Sequence, residues 1–267
     1  MPDALAVIPA RWASTRFPGK VLAPLGGRPL FLWVAAAARA SGAFRSVVVA
    51  TDDDRVAEVA RDAGLPAVLT SPELPSGTDR VAAVARDRNE AIVLGLQADE
   101  PFLDPGDLSA LVETIAAEED VALATLARPV TSLEEYLDPN VVKVVLDEGG
   151  RALLFSRAPI PWPREDGGIA FPPRSLPEPP PLAHVGVYAW RRDALLSFSG
   201  LAPSRLERTE RLEQLRALEA GWAIRVLPAR GESLGVDTPA DLARAEAHLA
   251  ARRGDTPGGT TERITDR

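Results

Sequence analysis

The stretch that most constrains this chain lies near its start, where Leu5-Ala6-Val7-Ile8 runs into Pro9-Ala10-Arg11-Trp12-Ala13-Ser14-Thr15-Arg16-Phe17-Pro18-Gly19-Lys20. Residues 5–8 form an apolar run that a sheet can bury, and Pro9, which has no N–H, breaks it. Residues 10–20 then make a loop of small residues with three cations, Arg11, Arg16 and Lys20, and two hydroxyls, Ser14 and Thr15. Small side chains let backbone N–H groups approach anionic oxygens while the cations neutralise them, so the loop suits a polyphosphate. It is not a Walker A loop, because Ser14 stands where that motif has its first Gly and Val21 where it has Ser or Thr. No Gly-x-Gly-x-x-Gly occurs in the chain.

Among 30 Lys plus Arg residues, only Lys20 and Lys143 are lysine. In a chain this biased toward Arg, a retained lysine marks a place where a compact ammonium is wanted, since a planar guanidinium is a different object among phosphate or carboxylate oxygens.

Beyond the loop, helix and strand signals alternate: helix 30–40 with Pro29 at its first position, strand 46–51, helix 54–63, strand 67–70, helix 77–88, strand 91–97, helix 107–118 and strand 121–128. This rhythm implies an α/β fold, a mostly parallel sheet with helices on both faces. The middle departs from it. Residues 141–146 and 152–156, joined by Asp147-Glu148-Gly149-Gly150, leave room only for a β-hairpin. Nine prolines within 159–181 predict a long loop or flap. A strand returns at 184–190, and Leu206, Leu212, Leu215 and Leu218 predict one helix across 203–220. A last strand at 223–227 precedes a terminal helix opened by Thr238-Pro239-Ala240-Asp241, and the polar residues 254–267 read as disordered.

A net charge of −8 argues against a nucleic-acid surface, and zero cysteines exclude disulfides and thiolate metal sites. The longest apolar run, 30–38, is too short to span a membrane. With no basic segment ahead of the first apolar run, a signal peptide is not expected and the cytoplasm is.

Acidic residues hold the remaining chemistry. Asp99, in Gln97-Ala98-Asp99-Glu100-Pro101, follows a strand, where open α/β sheets bind ligands and a carboxylate suits Mg²⁺ beside phosphate; a helix-capping Asp is the alternative. Asp237 precedes a helix and by itself reads as a turn residue. Asp52-Asp53-Asp54 fits the D-x-D pattern of metal-dependent glycosyltransferases, although three acids ahead of a helix also suit its macrodipole. Ser76-Gly77-Thr78-Asp79-Arg80 is either a helix cap or a turn that touches a base or ribose. His184 taken alone reads as structural.

These segments, together with Pro139-Asn140-Val141-Val142-Lys143, Phe155-Ser156-Arg157, His184-Val185-Gly186-Val187-Tyr188, Leu212-Glu213-Gln214-Leu215-Arg216 and Gly235-Val236-Asp237-Thr238-Pro239, resemble in order the 3-deoxy-manno-octulosonate cytidylyltransferase family, from about residue 5 to 250. The resemblance implies a GT-A-like nucleotidyltransferase fold in one domain over 1–250, with 130–200 forming the sugar-acid and dimerisation part. It implies a homodimer, Mg²⁺ dependence, and the transfer of CMP from CTP to a keto sugar acid, 3-deoxy-manno-octulosonate (Kdo), giving CMP-Kdo and pyrophosphate for lipopolysaccharide biosynthesis. Pro9, Ala10, Arg11, Arg16, Lys20, Ser76, Arg80 and Gln97 would bind nucleotide, with Arg11, Lys20, Asp99 and Asp237 catalytic. Asp99 and Asp237 would hold the metal; Arg157, His184, Tyr188, Glu213 and Gln214 would line the sugar-acid pocket. Two carboxylates that close would repel without metal, so an Asn at either is expected to raise the metal-free melting temperature slightly. Three features depart from the pattern: Ala98 for the usual Gly, Ala183 for a basic residue that would contact a carboxylate, and the proline-rich segment. They leave a related keto sugar acid open, beside a GT-A glycosyltransferase that uses Asp52–Asp54.

Overall fold

The computed structural model describes residues 3–14, 16–164, 173–231 and 234–253. Its central strand, β1 (Ala4–Pro9), is buried along its whole length. Because strand side chains alternate, Ala4, Ala6 and Ile8 enter one core and Leu5 and Val7 another on the opposite face.

After a 3₁₀ turn at Lys20–Leu22 come the short ladder of β2 (Pro24–Leu25) and β3 (Arg28–Pro29), then α1 (Leu30–Ser41), β4 (Ser46–Thr51), α2 (Asp54–Asp62) and β5 (Ala67–Leu69). The chain continues through α3 (Gly77–Arg86), β6 (Ile92–Gly95), α4 (Pro105–Ala117), β7 (Leu123–Pro129), α5 (Leu133–Leu137), β8 (Lys143–Leu146) and β9 (Ala152–Ser156). It closes with β10 (Leu182–Arg191), α6 (Arg192–Phe198), α7 (Arg205–Glu210), α8 (Gln214–Glu219), β11 (Ile224–Pro228) and α9 (Pro239–Arg253).

The main sheet runs β11-β7-β10-β6-β1-β4-β5. Its pairings are parallel except around β10, which is antiparallel to both β6 and β7; the antiparallel β8–β9 hairpin attaches to β10 at Leu182 and Ala183. From β1 the chain moves outward to β4 and β5, then crosses back to β6 on the other side of β1. That reversal opens a crevice between the loops leaving the carboxyl ends of β1 and β6, where sheets of this kind bind ligands.

Helices cover both faces, as expected. Phe31 and Val34 of α1, Val56 of α2 and Leu111 of α4 seal one face; Val81 of α3, Leu195 of α6 and Leu215 of α8 seal the other. Each such side chain contributes about 1.5–3 kcal/mol on burial.

Several boundaries differ from the sequence reading. Pro29 precedes α1 as its N-cap instead of occupying its first position. Helix α4 starts at Pro105 because the Asp104 carboxylate accepts the N–H groups of Gly106 and Asp107. The helices α5 and α6 were not anticipated; both are short, and α6 follows β10 directly. The segments 157–164 and 173–181 hold no helix or strand, while 165–172 and the tail 254–267 lie outside the described residues.

The largest correction is the single helix predicted across 203–220. It is two helices, α7 and α8, separated at Arg211, which takes a left-handed conformation with φ 54°. Ser204 and Glu207 form a capping box at the start of α7, and the Glu207 carboxylate also accepts from Arg216 on α8, so the helices fold against each other. Leucine spacing cannot reveal this: Leu206, the single leucine of α7, is exposed, and Leu212 falls in the break between the two helices. The Glu207–Arg216 pair is mostly buried on both sides. Removing one partner of such a pair leaves an uncompensated charge, so Glu207→Ala should lower unfolding free energy by about 3–5 kcal/mol in urea denaturation. Glu207→Ala combined with Arg216→Met should recover much of that loss.

Candidate active site

A cleft of about 370 Å³ opens at the reversal point. The loop after β1 supplies Pro9, Arg11, Ser14, Arg16, Lys20 and Val21; the turn into α3 supplies Leu74, Pro75, Ser76, Gly77 and Arg80; the turn after β6 supplies Gln97, Ala98 and Asp99; and Asp237 completes it. Of the predicted nucleotide and metal residues, Ala10 alone is missing from these walls. Its N–H is bonded to the Ala50 carbonyl at 2.8 Å and its methyl sits in the core.

The N-terminal loop is shaped by its own contacts. The Gly19 N–H bonds to the Trp12 carbonyl at 3.1 Å. Gly19 has φ 69°, and a Cβ there would come within 2.8 Å of the Trp12 ring, so glycine is required both for conformation and for close approach. At the opposite wall, a Cβ on Gly77 would lie 3.1 Å from the Gln97 amide, which is why the start of α3 can approach that side chain. Ser76 caps α3: its hydroxyl oxygen accepts the Asp79 N–H at 3.1 Å and its hydrogen goes to the Asp79 carboxylate at 2.8 Å. The cap and the cleft wall are thus one residue. Ser14 and Gly77 line it as parts of the loop and the turn read from the sequence, while Val21, Leu74 and Pro75 were missed; the apolar Leu74-Pro75 pair ahead of a cap was the available signal.

Asp99 and Asp237 meet. The Val236 N–H bonds to the Asp99 carbonyl at 2.9 Å, stitching the turn after β6 to the segment before α9. Between the two carboxylates lies the Lys20 ammonium, 2.5 Å from Asp99 and 2.8 Å from Asp237, and Arg16 reaches Asp237 at 2.9 Å. Burial works to lower the Lys20 pKa, but the two acids outweigh it and hold it above its ordinary value. Burial likewise works to raise Asp237, and its bonds and charge contacts with Lys20 and Arg16 hold it below the usual carboxylate value. The expected repulsion is therefore absent: the lysine makes the proximity tolerable. Among the described residues no group of three or more His, Cys, Asp and Glu gathers as a metal site, so the protein side offers these two carboxylates.

The predicted sugar-acid residues do not line this cleft. His184 and Tyr188 lie together on β10, ring centroids 5.4 Å apart, with Phe155 5.0 Å from His184. Burial, with the nearby Glu213 charge, raises the Tyr188 pKa well above its ordinary value. Glu213 accepts from the Thr78 hydroxyl at 2.7 Å, so this group borders the cleft through the first turn of α3. Gln214 is buried beside it at the start of α8. Arg157 is held elsewhere, its guanidinium donating to the carbonyls of Glu210 and Pro139 at 2.7 and 2.9 Å. Ala183 packs with Val130 and Tyr136 in a small core, so a basic residue there would face that core, and its absence removes no contact beside His184.

The cytidylyltransferase family model matches residues 5–227. The chain belongs to that family. It is 46% identical over 248 residues to the 3-deoxy-manno-octulosonate cytidylyltransferase of Syntrophotalea carbinolica, covering 91% of this chain and 97% of that one. It is 48% identical over 256 residues to the enzyme of the same name from Methylococcus capsulatus, covering 94% and 98%. Among solved structures, a CMP:2-keto-3-deoxy-manno-octonic acid synthetase complexed with CTP superposes with a TM-score of 0.85 at 38% identity, over 93% of this chain and 99% of that one. A putative glucose-1-phosphate thymidylyltransferase from Bacillus anthracis, 14% identical with a TM-score of 0.65 over 92% and 94%, shares the fold.

In this cytidylyltransferase the two acids and His184 make separate predictions. Lys20 is stabilised by both carboxylates, so Asp99→Asn or Asp237→Asn should lower the metal-free melting temperature at pH 7, the reverse of the sequence expectation. Differential scanning calorimetry in EDTA decides it. For His184, Thr125 Oγ1 lies 2.7 Å from the Val187 carbonyl and 2.9 Å from Nε2. The hydroxyl donates to the carbonyl and so accepts from Nε2–H, which leaves Nδ1 unprotonated. Burial pushes the His184 pKa down to about 3. An unfolded His titrates near 6.5, so the unfolded chain binds the extra proton and stability falls as pH drops from about 6.5 toward 3. His184→Gln should flatten part of that decline in melting temperature against pH, and the His184 ring resonances should stay constant from pH 8 to 5.

Proposed function

We propose that this cytidylyltransferase transfers CMP from CTP to the anomeric hydroxyl of 3-deoxy-D-manno-octulosonate (Kdo), releasing pyrophosphate. Asp99 and Asp237 carry the proposal, because they converge on one cationic point in a cleft walled by Arg11, Arg16 and Lys20. The names of the two relatives and of the CTP-bound neighbour support the same chemistry.

We propose Mg²⁺ as the cofactor. The donor set fits: two carboxylates aimed at one small cation are hard oxygen ligands, and Mg²⁺ characteristically takes one or two carboxylates and fills its shell with phosphate oxygens and water. Bound there it would neutralise charge that develops on the phosphates during transfer. Arg11, Arg16 and Lys20 hold the triphosphate so that the anomeric oxygen attacks the α-phosphorus in line and pyrophosphate departs on the opposite side. Positioning and charge stabilisation then supply most of the acceleration. Pro9, Ser76, Arg80 and Gln97 form the nucleoside side of the cleft. His184, Tyr188, Glu213 and Gln214 take the sugar acid, and neutral His184 suits a hydroxyl donor better than a carboxylate.

Ala98 adds a methyl to the cleft wall, which makes a related keto sugar acid the second substrate to try. The glycosyltransferase alternative is not retained, because Asp52 and Asp53 are engaged with arginines and backbone. We also propose a homodimer working in the cytoplasm. Exposed Leu153 and Leu154 on the outer strand of the hairpin support the former, and no helix among the described residues is long and apolar enough to cross a membrane.

Pyrophosphate release from each of four nucleoside triphosphates against a panel of keto sugar acids tests the proposal. CTP with Kdo should give the highest kcat/KM. Comparable turnover with ATP or GTP, or faster turnover with another sugar acid, would replace the assigned substrate.

A further inference from the structure

The three consecutive acids after β4 do three different things. Asp53 is the N-cap of α2 and binds Arg55 through its backbone N–H at 2.9 Å and its guanidinium at 2.8 and 2.6 Å. Asp54 is the first residue of that helix. Asp52 turns the other way. One carboxylate oxygen accepts the Trp12 N–H at 3.2 Å and the other accepts from the Arg80 guanidinium at 3.2 Å.

One end of that bridge lines the cleft and the other lies in the loop that forms its opposite wall. Arg80 lines it, is nearly inaccessible, and donates also to the Thr70 hydroxyl, which in turn donates to the Thr51 carbonyl at 3.0 Å. Trp12 belongs to the loop that carries Arg11, Arg16 and Lys20. Its carbonyl takes the Gly19 N–H, its ring packs against Gly19, and the Arg55 guanidinium lies 3.4 Å over that ring. Lys20 is the next residue after Gly19. A single carboxylate, 9% exposed, thus ties the phosphate-facing loop to the helix wall formed by α3.

We propose that Asp52 is a positioning residue for nucleotide binding: it sets the distance between the Arg80 wall and the loop bearing Lys20, without touching substrate itself. The charge is needed because the Arg80 guanidinium is buried, and a buried cation without its anion moves or takes up water. The geometry is needed because one rigid carboxylate spans two elements far apart in sequence. This rests on the reading that the cleft takes CTP.

Asp52→Asn keeps the shape and an oxygen for the Trp12 N–H, and removes the charge opposite Arg80. It should raise KM and Kd for CTP about tenfold, the loss of one charged hydrogen bond, with KM for the sugar acid and the half-saturating Mg²⁺ concentration unchanged. If Asp52 acts through Arg80, Asp52→Asn and Arg80→Met should be non-additive, the double variant binding CTP no more weakly than the weaker single one. Asp52→Glu should restore part of the affinity. Thr70→Val, which removes the second partner of Arg80 together with the bond to Thr51, should give the same pattern at smaller size, and serves if Asp52→Asn does not fold. Wild-type CTP affinity for Asp52→Asn, or a lower melting temperature with both KM values unchanged, would overturn the proposal. A shifted Mg²⁺ requirement would overturn it in favour of a metal-ligand role. Failure of the wild-type enzyme to bind CTP would instead defeat the functional reading beneath it.

Discussion

The site depends on one ammonium shared by two carboxylates. Lys20 comes from the loop after the central strand, Asp99 from the turn after its neighbour β6, and Asp237 from the segment that enters the last helix. Without a cation between them two such acids repel, and with one they attract from three parts of the chain at once. The backbone bond from Val236 to Asp99 brings the last of these segments into line, and buried Val236 anchors it against Phe102, Leu25 and Leu30. A compact ammonium fits this point, as a small divalent ion would; a guanidinium, planar and forked, does not.

Around that point the molecule divides its work along the sheet. The parallel part, β6-β1-β4-β5, presents carboxyl ends, and the turns that leave them carry Arg11, Arg16, Lys20, Gln97 and Asp99 into the cleft. The antiparallel part, built on β10 and the β8–β9 hairpin, presents a row of aromatic rings through Phe155, His184, Tyr188 and Trp190. Helix α3 joins the two: Ser76 and Gly77 face the cleft while Thr78 holds Glu213. The other lysine, Lys143, is structural. It is fully buried, with its ammonium on the carbonyls of Asp138 and Val141 at 2.8 and 2.6 Å, and burial lowers its pKa. Lysine scarcity thus pointed to two places where a point charge is wanted, only one of them in the cleft.

What the sequence by itself determined is local. Strand 46–51, the hairpin around Gly149-Gly150, the alternation of helices with strands and the capped terminal helix come from periods of two and 3.6 residues and from proline and glycine, all of which act within a few residues. The motifs around Arg11 to Lys20, Gln97 to Glu100 and Gly235 to Pro239 were legible for the same reason. Tertiary structure alone decided the rest. The left-handed Arg211 splits a helix that leucine spacing made continuous, because Glu207 finds Arg216 across the break. Arg157 is turned to the carbonyls of Glu210 and Pro139, Ala10 is drawn into the core, Asp52 is paired with Arg80, and Lys20 stands between Asp99 and Asp237. Each of these outcomes depends on which charge or carbonyl lies nearest in space. Coulombic attraction and hydrogen bonding act over a few ångströms regardless of sequence separation, so no local pattern in the chain records them.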